Sequence, residues 1–99
     1  MADGTRALDV IVVGGGISGL AAAALLARAG KRVVLFEKAA GLGGRGATRV
    51  ESGFHFNFGP HALYRSGHGM RVLRHLGLEP TGGIPSAAGG FAVMAGRKH

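Results

Sequence analysis

The longest uncharged stretch of the chain lies between Asp9 and Arg28, and it constrains the fold more than any other feature. It reads VIVVGGGISGLAAAALLA and is almost entirely apolar, long enough for a membrane span or a secretory signal. Three consecutive glycines at 14–16 argue against a spanning helix, since each costs about 1 kcal/mol relative to alanine. The leader before it sets Arg6 against Asp3, which makes a poor signal sequence. We therefore expect no transmembrane segment, and a cytoplasmic protein.

The same stretch divides at its glycines into a strand and a helix. Residues 9–13 form a β-branched run, which predicts a strand buried on both faces. Residues 17–29 are rich in alanine and leucine and predict a helix that stops at Gly30. A second β-branched run over 31–36 predicts the next strand. Together they make a βαβ unit with a right-handed crossover, so the predicted fold class is α/β, a Rossmann-like βαβ dinucleotide-binding unit.

Beyond this unit the sequence predicts a glycine-rich loop and short additional elements. The loop covers 39–46, which holds four glycines. Phenylalanines alternate with polar residues over 54–58, the period of a half-buried strand. Apolar residues over 68–78 have mostly helical spacing, which Gly77 breaks and Pro80 stops. The Gly/Pro/Ser/Ala-rich segment 81–90 predicts a loop. A final short strand is predicted over 91–94.

The turn after the first strand has the spacing G-x-G-x-x-G of a dinucleotide-binding turn. Gly14 permits the tight turn, Gly16 leaves room for a pyrophosphate, and Gly19 lets the helix pack close to the strand. The predicted helix begins at Ile17 and Ser18. Its N-terminus presents free N–H groups and a partial positive charge to the phosphates. We predict that these five residues bind a dinucleotide.

An acidic residue follows the second strand at the spacing expected for ribose binding. Glu37 lies 18 residues after Gly19, where a carboxylate would accept hydrogen bonds from two ribose hydroxyls. The same charge would repel a 2′-phosphate, which argues against NADP. We place Glu37 and its neighbour Lys38 at the cofactor site. The alternative for Glu37 is a solvated carboxylate at the end of a strand.

Other interpretations of these glycines fail on single residues. A P-loop requires Gly-Lys-Ser/Thr, but Leu20 and Ala21 follow Gly19. A nucleophile elbow around Ser18 requires a glycine at position 20, which leucine occupies. Neither phosphate binding through a P-loop nor serine hydrolysis is therefore expected.

Composition excludes further classes of function. The chain has 99 residues, enough for one small domain, and no cysteine, so disulfide scaffolds, Cys-based zinc sites and thiol catalysis are excluded. Its net charge of +7 comes from scattered basic residues without a nucleic-acid-binding motif, so no nucleic-acid partner is expected. The five histidines form no i, i+4 pair with carboxylates, so no metal site is expected.

Residues 9–49 and 53–63 resemble the N-terminus of FAD-dependent oxidoreductases of the amine oxidase and phytoene desaturase type. The most specific element is the loop with Gly43, Gly44 and Arg45, which members of the family place beside the FAD pyrophosphate. A guanidinium there would bind phosphate oxygens bidentately. The resemblance implies that FAD is the cofactor and that this loop contacts it. The alternative for the loop is a surface turn.

A second segment, at 58–61, resembles the part of the family that passes near the flavin ring. The resemblance implies that Gly59, Pro60 and His61 contact the cofactor, while a structural or exposed histidine is the alternative for His61. The family usually has aspartate where Asn57 stands, so one charge is missing here. No catalytic residue is named, because substrate contacts in the family come largely from later regions.

Members of this family are usually several hundred residues long, and later strands complete their FAD-binding sheet. We accordingly expect an N-terminal fragment, with a polar leader over 1–8 and a partial FAD-binding domain over 9–99 that is incomplete at its C-terminus. Its first strand would have an open side prone to aggregation. We expect isolated 1–99 to be marginally stable, inactive and unable to retain FAD.

Three hypotheses for the function follow. The first is the FAD-binding part of a flavin-dependent oxidoreductase acting on a small molecule, a polyene or an amine, with membrane-surface association if the substrate is a polyene. The second is a non-catalytic nucleotide-binding module for NAD or ADP. The third is an inert gene fragment. An absorbance spectrum of the purified chain separates the first from the other two.

Overall fold

The computed structural model describes residues 7–90 and 93–98. Its elements in chain order are β1 (Val10–Val13), α1 (Ile17–Arg28), β2 (Val33–Phe36), a 3₁₀ turn (Gly44–Gly46), β3 (Thr48–Glu51), β4 (Phe54–Asn57), α2 (His68–His75), β5 (Val93–Met94) and β6 (Arg97–Lys98). The strands of the described residues pair two by two, β1 with β2, β3 with β4 and β5 with β6.

The first two strands and α1 form the predicted βαβ unit. β1 and β2 run parallel, with Val10 opposite Val33 and Val13 opposite Phe36. α1 connects the two strands and contacts both of them. The α/β character of the predicted fold is therefore confirmed.

A glycine cap ends α1. The backbone N–H groups of Gly30 and Lys31 donate to the carbonyl oxygens of Ala27 and Leu26, both at 3.0 Å. Gly30 has a φ of 82°, which residues with a side chain rarely adopt. This hydrogen-bond pattern is the Schellman motif, and it ends the helix at Arg28, one residue before the predicted end.

Hydrogen bonds at both ends keep β1 and β2 in register. At the start of the strands, the Arg32 N–H donates to the Asp9 carboxylate at 2.8 Å, and the Arg32 carbonyl accepts from the Asp9 N–H at 2.9 Å. At the other end, the Gly14 N–H donates to the Phe36 carbonyl at 2.7 Å. The carboxyl ends of both strands therefore meet at the glycine turn, where ligands of parallel α/β sheets bind.

The expectation that β1 is buried on both faces is wrong. Ile11 is 58% exposed and Val13 is 83% exposed. α1 covers one face of the sheet, and β2 pairs with one edge of β1. Among the described residues no further strand or helix covers the other face and edge. The expected open side of this strand is thus present in the structure.

Strands β3 and β4 form a hairpin, with Thr48 opposite Asn57 and Glu51 opposite Phe54. The strand predicted over 54–58 is confirmed over Phe54–Asn57, but the expectation that it is half-buried is wrong. Phe54 is 68% exposed, and every residue of both strands is exposed. Alternating phenylalanines predict a strand correctly, yet burial also needs a second layer, and the described residues provide none over this hairpin.

Helix α2 spans His68–His75 and ends at a glycine cap, at the break predicted at Gly77 within 68–78. Gly77 has a φ of 80°, and the N–H groups of Gly77 and Leu78 donate to the carbonyls of Arg74 and Leu73 at 2.9 Å. The predicted loop over 81–90 contains no helix or strand. Of the strand predicted over 91–94, the first two residues lie outside the described ones, and the rest is β5.

The chain has a small apolar core for its length. Met70, on α2, is the one buried apolar side chain among the described residues. The radius of gyration is 19.2 Å, whereas a packed domain of this length has about 13 Å. The described residues are therefore loosely packed, and the candidate site lies on the βαβ unit, where α1 contacts both strands.

Candidate dinucleotide-binding site

The glycine turn between β1 and α1 disfavours a side chain at Gly14 through its backbone conformation, lacks room for one at Gly19, and leaves Gly16 facing open space. Gly14 has a φ of 102°, so a side chain there would strain the backbone. A Cβ on Gly19 would overlap the carbonyl oxygen of Gly14 and lie 3.5 Å from Val12 Cγ1. A Cβ on Gly16 would meet nothing within 4 Å. This geometry fits the roles predicted for the three glycines, while their contact with a cofactor stays a prediction.

The second glycine loop lies directly against this turn. The Gly43 N–H donates to the Gly15 carbonyl at 2.7 Å, and Gly16 and Gly43 form an isolated parallel bridge. A Cβ on Gly44 would lie 3.4 Å from Gly16 Cα. Gly16 and Gly43 are 27 residues apart in the sequence, and this bridge brings their two segments together. Both had been predicted to face the same pyrophosphate.

The two loops enclose a cleft of about 310 Å³. It is lined by Val13, Gly14, Gly16, Ile17, Ser18, Gly19, Gly43, Arg45 and Gly46. Arg45 is the charged residue of this lining, and the first N–H groups of α1 have no acceptor within the helix. A guanidinium and the positive end of a helix thus share one opening, which is the arrangement that phosphate oxygens require.

A second hollow, of about 520 Å³, adjoins the first and shares Val13 and Gly14 with it. Its remaining lining residues are Phe36, Glu37 and Lys38. The structure therefore places the predicted ribose-binding acid beside the predicted phosphate cleft, at the carboxyl end of β2.

Backbone N–H groups hold the Glu37 carboxylate. The Ala39 N–H donates to Oε1 at 3.1 Å, and the Gly15 N–H donates to Oε2 at 2.6 Å. These bonds, with that from Ala39 as the largest contribution, lower the pKa of Glu37 below its ordinary value of 4.5, and partial desolvation opposes them. The carboxylate is therefore charged at neutral pH, and its remaining lone pairs can accept hydrogen bonds from hydroxyl groups.

The structure separates the three residues predicted to lie near the flavin. Gly59 packs on Arg45, because a Cβ on Gly59 would lie 2.8 Å from the Arg45 carbonyl oxygen and 3.0 Å from its Cβ. Pro60 is exposed. His61 lines another cavity, of about 460 Å³, next to Met70 of α2. Gly59 thus supports the wall of the phosphate cleft, whereas His61 lies outside its lining.

Sequence reasoning missed four residues of the site. Val13 and Gly46 line the cleft. Gly15 is buried and binds both Glu37 and the second loop, and Leu42 covers it. The glycine at position 15, the second of the three at 14–16, was the available signal, because G-x-G-x-x-G allows any residue there. Val13, Leu42 and Gly46 carry no distinguishing pattern in the sequence.

The family model described as "NAD(P)-binding Rossmann-like domain" matches residues 12–76. The chain belongs to this family. The match covers the glycine turn, Glu37, the second loop and α2, and it confirms the Rossmann-like fold class. A Rossmann-like domain with relatives of the kind named below binds a flavin or nicotinamide dinucleotide, while the contact of each candidate site residue with it stays a prediction.

Named relatives confirm the resemblance to the phytoene desaturase type. All-trans-retinol 13,14-reductase of Macaca fascicularis is 48% identical over 62 residues, 63% of this chain and 10% of that protein. Carotenoid 3,4-desaturase of Haloarcula japonica is 46% identical over 72 residues, 73% of this chain and 14% of that protein. A 4,4′-diapophytoene desaturase of Staphylococcus haemolyticus is 47% identical over 53 residues, 54% of this chain and 11% of that protein.

The chain spans about a tenth of the length of these relatives. No solved structure gives a significant match to it. Among the residues that the structure describes, no helix is both long and apolar enough to cross a bilayer. The same residues contain no group of three or more His, Asp or Glu side chains arranged to hold a metal ion.

Proposed function

We propose that this chain forms the ADP-binding part of an FAD site in a flavin-dependent oxidoreductase. The observation that carries the proposal is the contact of the second loop with the glycine turn, made by the Gly43 N–H and the Gly15 carbonyl at 2.7 Å. It brings Arg45 to the opening at the start of α1. A nicotinamide site of the simple Rossmann type needs one glycine turn and one acid, whereas a second loop with a guanidinium suits the FAD pyrophosphate.

Each part of the site would hold a different part of FAD. Gly14, Gly16 and Gly19, with the N–H groups at Ile17 and Ser18, would hold the pyrophosphate together with the loop of Gly43, Gly44 and Arg45. Glu37 would accept hydrogen bonds from the ribose hydroxyls, and the second hollow, which Lys38 also lines, would hold the adenosine. Gly59 would keep Arg45 in place. The pocket fits this group because a Cβ on Gly16 would project into open space where the phosphates belong.

The chemistry of the complete site would be redox chemistry. When bound, FAD would supply the acceptor for a hydride or an electron pair, as flavins do. The residues of this chain would bind and orient it through charge and backbone hydrogen bonds. His61, in the neighbouring cavity, and Pro60 would lie towards the ring only if the flavin extends past Gly59.

A polyene is the proposed substrate. The relatives named above are a retinol reductase and two desaturases, one named for a carotenoid and one for diapophytoene. These names favour a polyene over an amine for the complete enzyme. Because a polyene partitions into lipid, we propose that the complete enzyme associates with a membrane surface. We also propose that it is cytoplasmic.

Titration of the chain with FAD, ADP, NAD⁺ and NADP⁺ in ligand-observed NMR tests the cofactor. We expect FAD and ADP to bind weakly and reversibly, and NADP⁺ to bind worst because Glu37 repels its 2′-phosphate. Arg45→Gln should weaken FAD, which carries a pyrophosphate, by about tenfold, since it removes charge-assisted hydrogen bonds. Arg49→Gln, on the hairpin outside the cleft, is the matched control. If FAD and NAD⁺ bind with equal affinity and Arg45→Gln changes neither affinity, the non-catalytic nucleotide-binding module is favoured instead.

A further inference from the structure

Gly15 occupies the position that the G-x-G-x-x-G spacing leaves free, between the turn glycine Gly14 and the phosphate-facing Gly16. Apart from Met70, it is the one buried residue among those described. Its φ is not in the left-handed region, so its own backbone does not demand glycine. What surrounds it must therefore explain why no side chain stands there.

The N–H of Gly15 fixes the acid of the site. It donates to Glu37 Oε2 at 2.6 Å, across 22 residues of sequence. The other oxygen accepts from Ala39, which is two residues from Glu37 and moves with it. The bond from Gly15 is thus the one that ties the carboxylate to the glycine turn rather than to its own loop.

The carbonyl of Gly15 fixes the phosphate-binding loop. It accepts from the Gly43 N–H at 2.7 Å, two residues before Arg45. One peptide unit on each side of a single Cα therefore holds the acid and the arginine loop. Both carry charged residues of the proposed FAD site, Glu37 and Arg45, and no hydrogen bond or ion pair joins these two side chains among the described residues.

The bare Cα of Gly15 completes the arrangement. A Cβ there would lie 2.6 Å from Leu42 Cδ2, 3.2 Å from Glu37 Cβ and 3.2 Å from Glu37 Oε2. Leu42 belongs to the same loop as Gly43, so a methyl group would push on the acid and on the loop together. Neither obstacle is backbone, so the shift expected from alanine is a displacement rather than unfolding.

We propose that Gly15 is a positioning residue that sets the Glu37 carboxylate and the 42–45 loop relative to each other through its N–H, its carbonyl and its bare Cα. The expected effect of Gly15 on cofactor affinity rests on the proposed function. The placement of Glu37 and the 42–45 loop by Gly15 can be measured on the chain without a cofactor. Gly15 lies outside the lining of both hollows of the site, so its role is exerted through Glu37 and Gly43.

Gly15→Ala in the 99-residue chain tests this, with NMR titration of the Glu37 side-chain carboxyl and the Gly43 amide shift as readouts. We expect the pKa of Glu37 to rise towards 4.5 and the Gly43 amide to move, because the donated bond lengthens and Leu42 is displaced. ADP affinity should fall roughly fivefold, the effect of one weakened hydrogen bond. Gly41→Ala, whose Cβ would meet nothing within 4 Å, should change neither readout.

Two further variants separate positioning from binding. Gly16→Ala places a methyl in open space, so ADP binding should be lost while the Glu37 titration stays unchanged. The double variant Gly15→Ala/Leu42→Ala removes the closest obstacle. The pKa of Glu37 in the double variant should be raised as it is in Gly15→Ala. Its Gly43 amide should lie close to the position seen in Leu42→Ala alone.

Unchanged Glu37 titration and Gly43 amide in Gly15→Ala would overturn the inference. A parent chain that binds neither ADP nor FAD, while Gly15→Ala still moves both readouts, would overturn the proposed function and leave the positioning role standing. Amide dispersion in the same spectra confirms that each variant is folded. If Gly15→Ala does not fold, the same readouts are taken on Leu42→Ala, which removes the side chain that covers Gly15 and should move the Gly43 amide. An unmoved Gly43 amide in that variant would contradict the positioning role of Gly15.

Discussion

At the scale of single residues, the site depends on a charge that backbone groups hold in place. Glu37 accepts hydrogen bonds from Ala39 and Gly15 and lies half-buried beside the glycine turn. Both bonds favour the ionised form. The acid therefore stabilises the folded chain through its charge, even before any cofactor is bound.

We predict that Glu37→Gln removes part of the acid sensitivity of folding. The folded-state pKa lies below 4.5, so the unfolded chain binds the proton more readily than the folded chain does. The stabilisation is fully present above the ordinary pKa and is lost as pH falls through the folded-state value. Urea unfolding of parent and Glu37→Gln should therefore differ at neutral pH and converge in acid.

The matched control for this prediction is Glu51→Gln. Glu51 lies on the exposed hairpin and pairs with Arg49 at 3.2 Å, a kind of surface pair that contributes little. This variant should keep the parent's difference between neutral and acid stability. The same acid dependence in parent and Glu37→Gln would show that the carboxylate is not held as described.

Gly19→Ala should destabilise the fold more than other glycine substitutions in the unit. Its Cβ would overlap the Gly14 carbonyl oxygen, which is backbone and cannot rotate away, so α1 must move from β1. Overpacking of this kind costs about 1–3 kcal/mol. Gly41→Ala has open space and should change the free energy of unfolding by less than about 0.5 kcal/mol. Chemical denaturation of both variants measures the difference, and equal losses would contradict it.

The sequence predicts the residues whose role depends on the local chain and misses those whose role comes from distant contacts. The spacing of Gly14, Gly16 and Gly19 within one strand-turn-helix is enough to predict their geometry. Gly15 gains its role from Glu37 and Gly43, which are 22 and 28 positions further along the chain. No local pattern reports those partners.

At the scale of elements, ends and turns are well determined because glycines cap them. The Schellman caps at Gly30 and Gly77 end both helices near the predicted positions. Burial is less predictable, because an alternating strand such as β4 shows which side chains share a face and not what covers that face. The two wrong expectations, for β1 and β4, concern burial and not the type of element.

The hairpin turn offers a test at this scale. Ser52 and Gly53 both have positive φ, 51° and 80°, the type I′ turn that favours Asn-Gly. An ordinary side chain in this conformation costs roughly 1–2 kcal/mol, and asparagine tolerates it better. Ser52→Asn should therefore stabilise the hairpin by up to about 1 kcal/mol. Cross-strand NOEs between Thr48 and Asn57, followed during thermal unfolding, measure it.

Ser66→Asn is the control for the turn, because Ser66 has no positive φ. It should leave the hairpin signals unchanged. A loss of hairpin stability in Ser52→Asn would mean that the turn does not have this conformation in solution.

At the scale of the whole molecule, apolar surface is the dominant feature. The radius of gyration of 19.2 Å and the single buried apolar side chain, Met70, among the described residues leave the sheet uncovered opposite α1. Within the described part of the chain, β1 pairs with β2 on one edge and with no strand on the other, and strands with such open edges recruit other chains. Self-association is the expected consequence at high concentration.

Ile11→Lys should reduce this association while leaving the fold intact. Ile11 is 58% exposed on the uncovered face of β1, where a lysine puts a charge at the strand that a second chain would join. Substitution at so exposed a position should change the stability by less than about 0.5 kcal/mol. Ile84→Lys is the control, because Ile84 is 72% exposed in a loop outside the sheets. Sedimentation velocity across a concentration series should show fewer oligomers for Ile11→Lys than for Ile84→Lys. An equal decrease in both would assign association to apolar surface in general, and no decrease in either would locate it elsewhere than on β1.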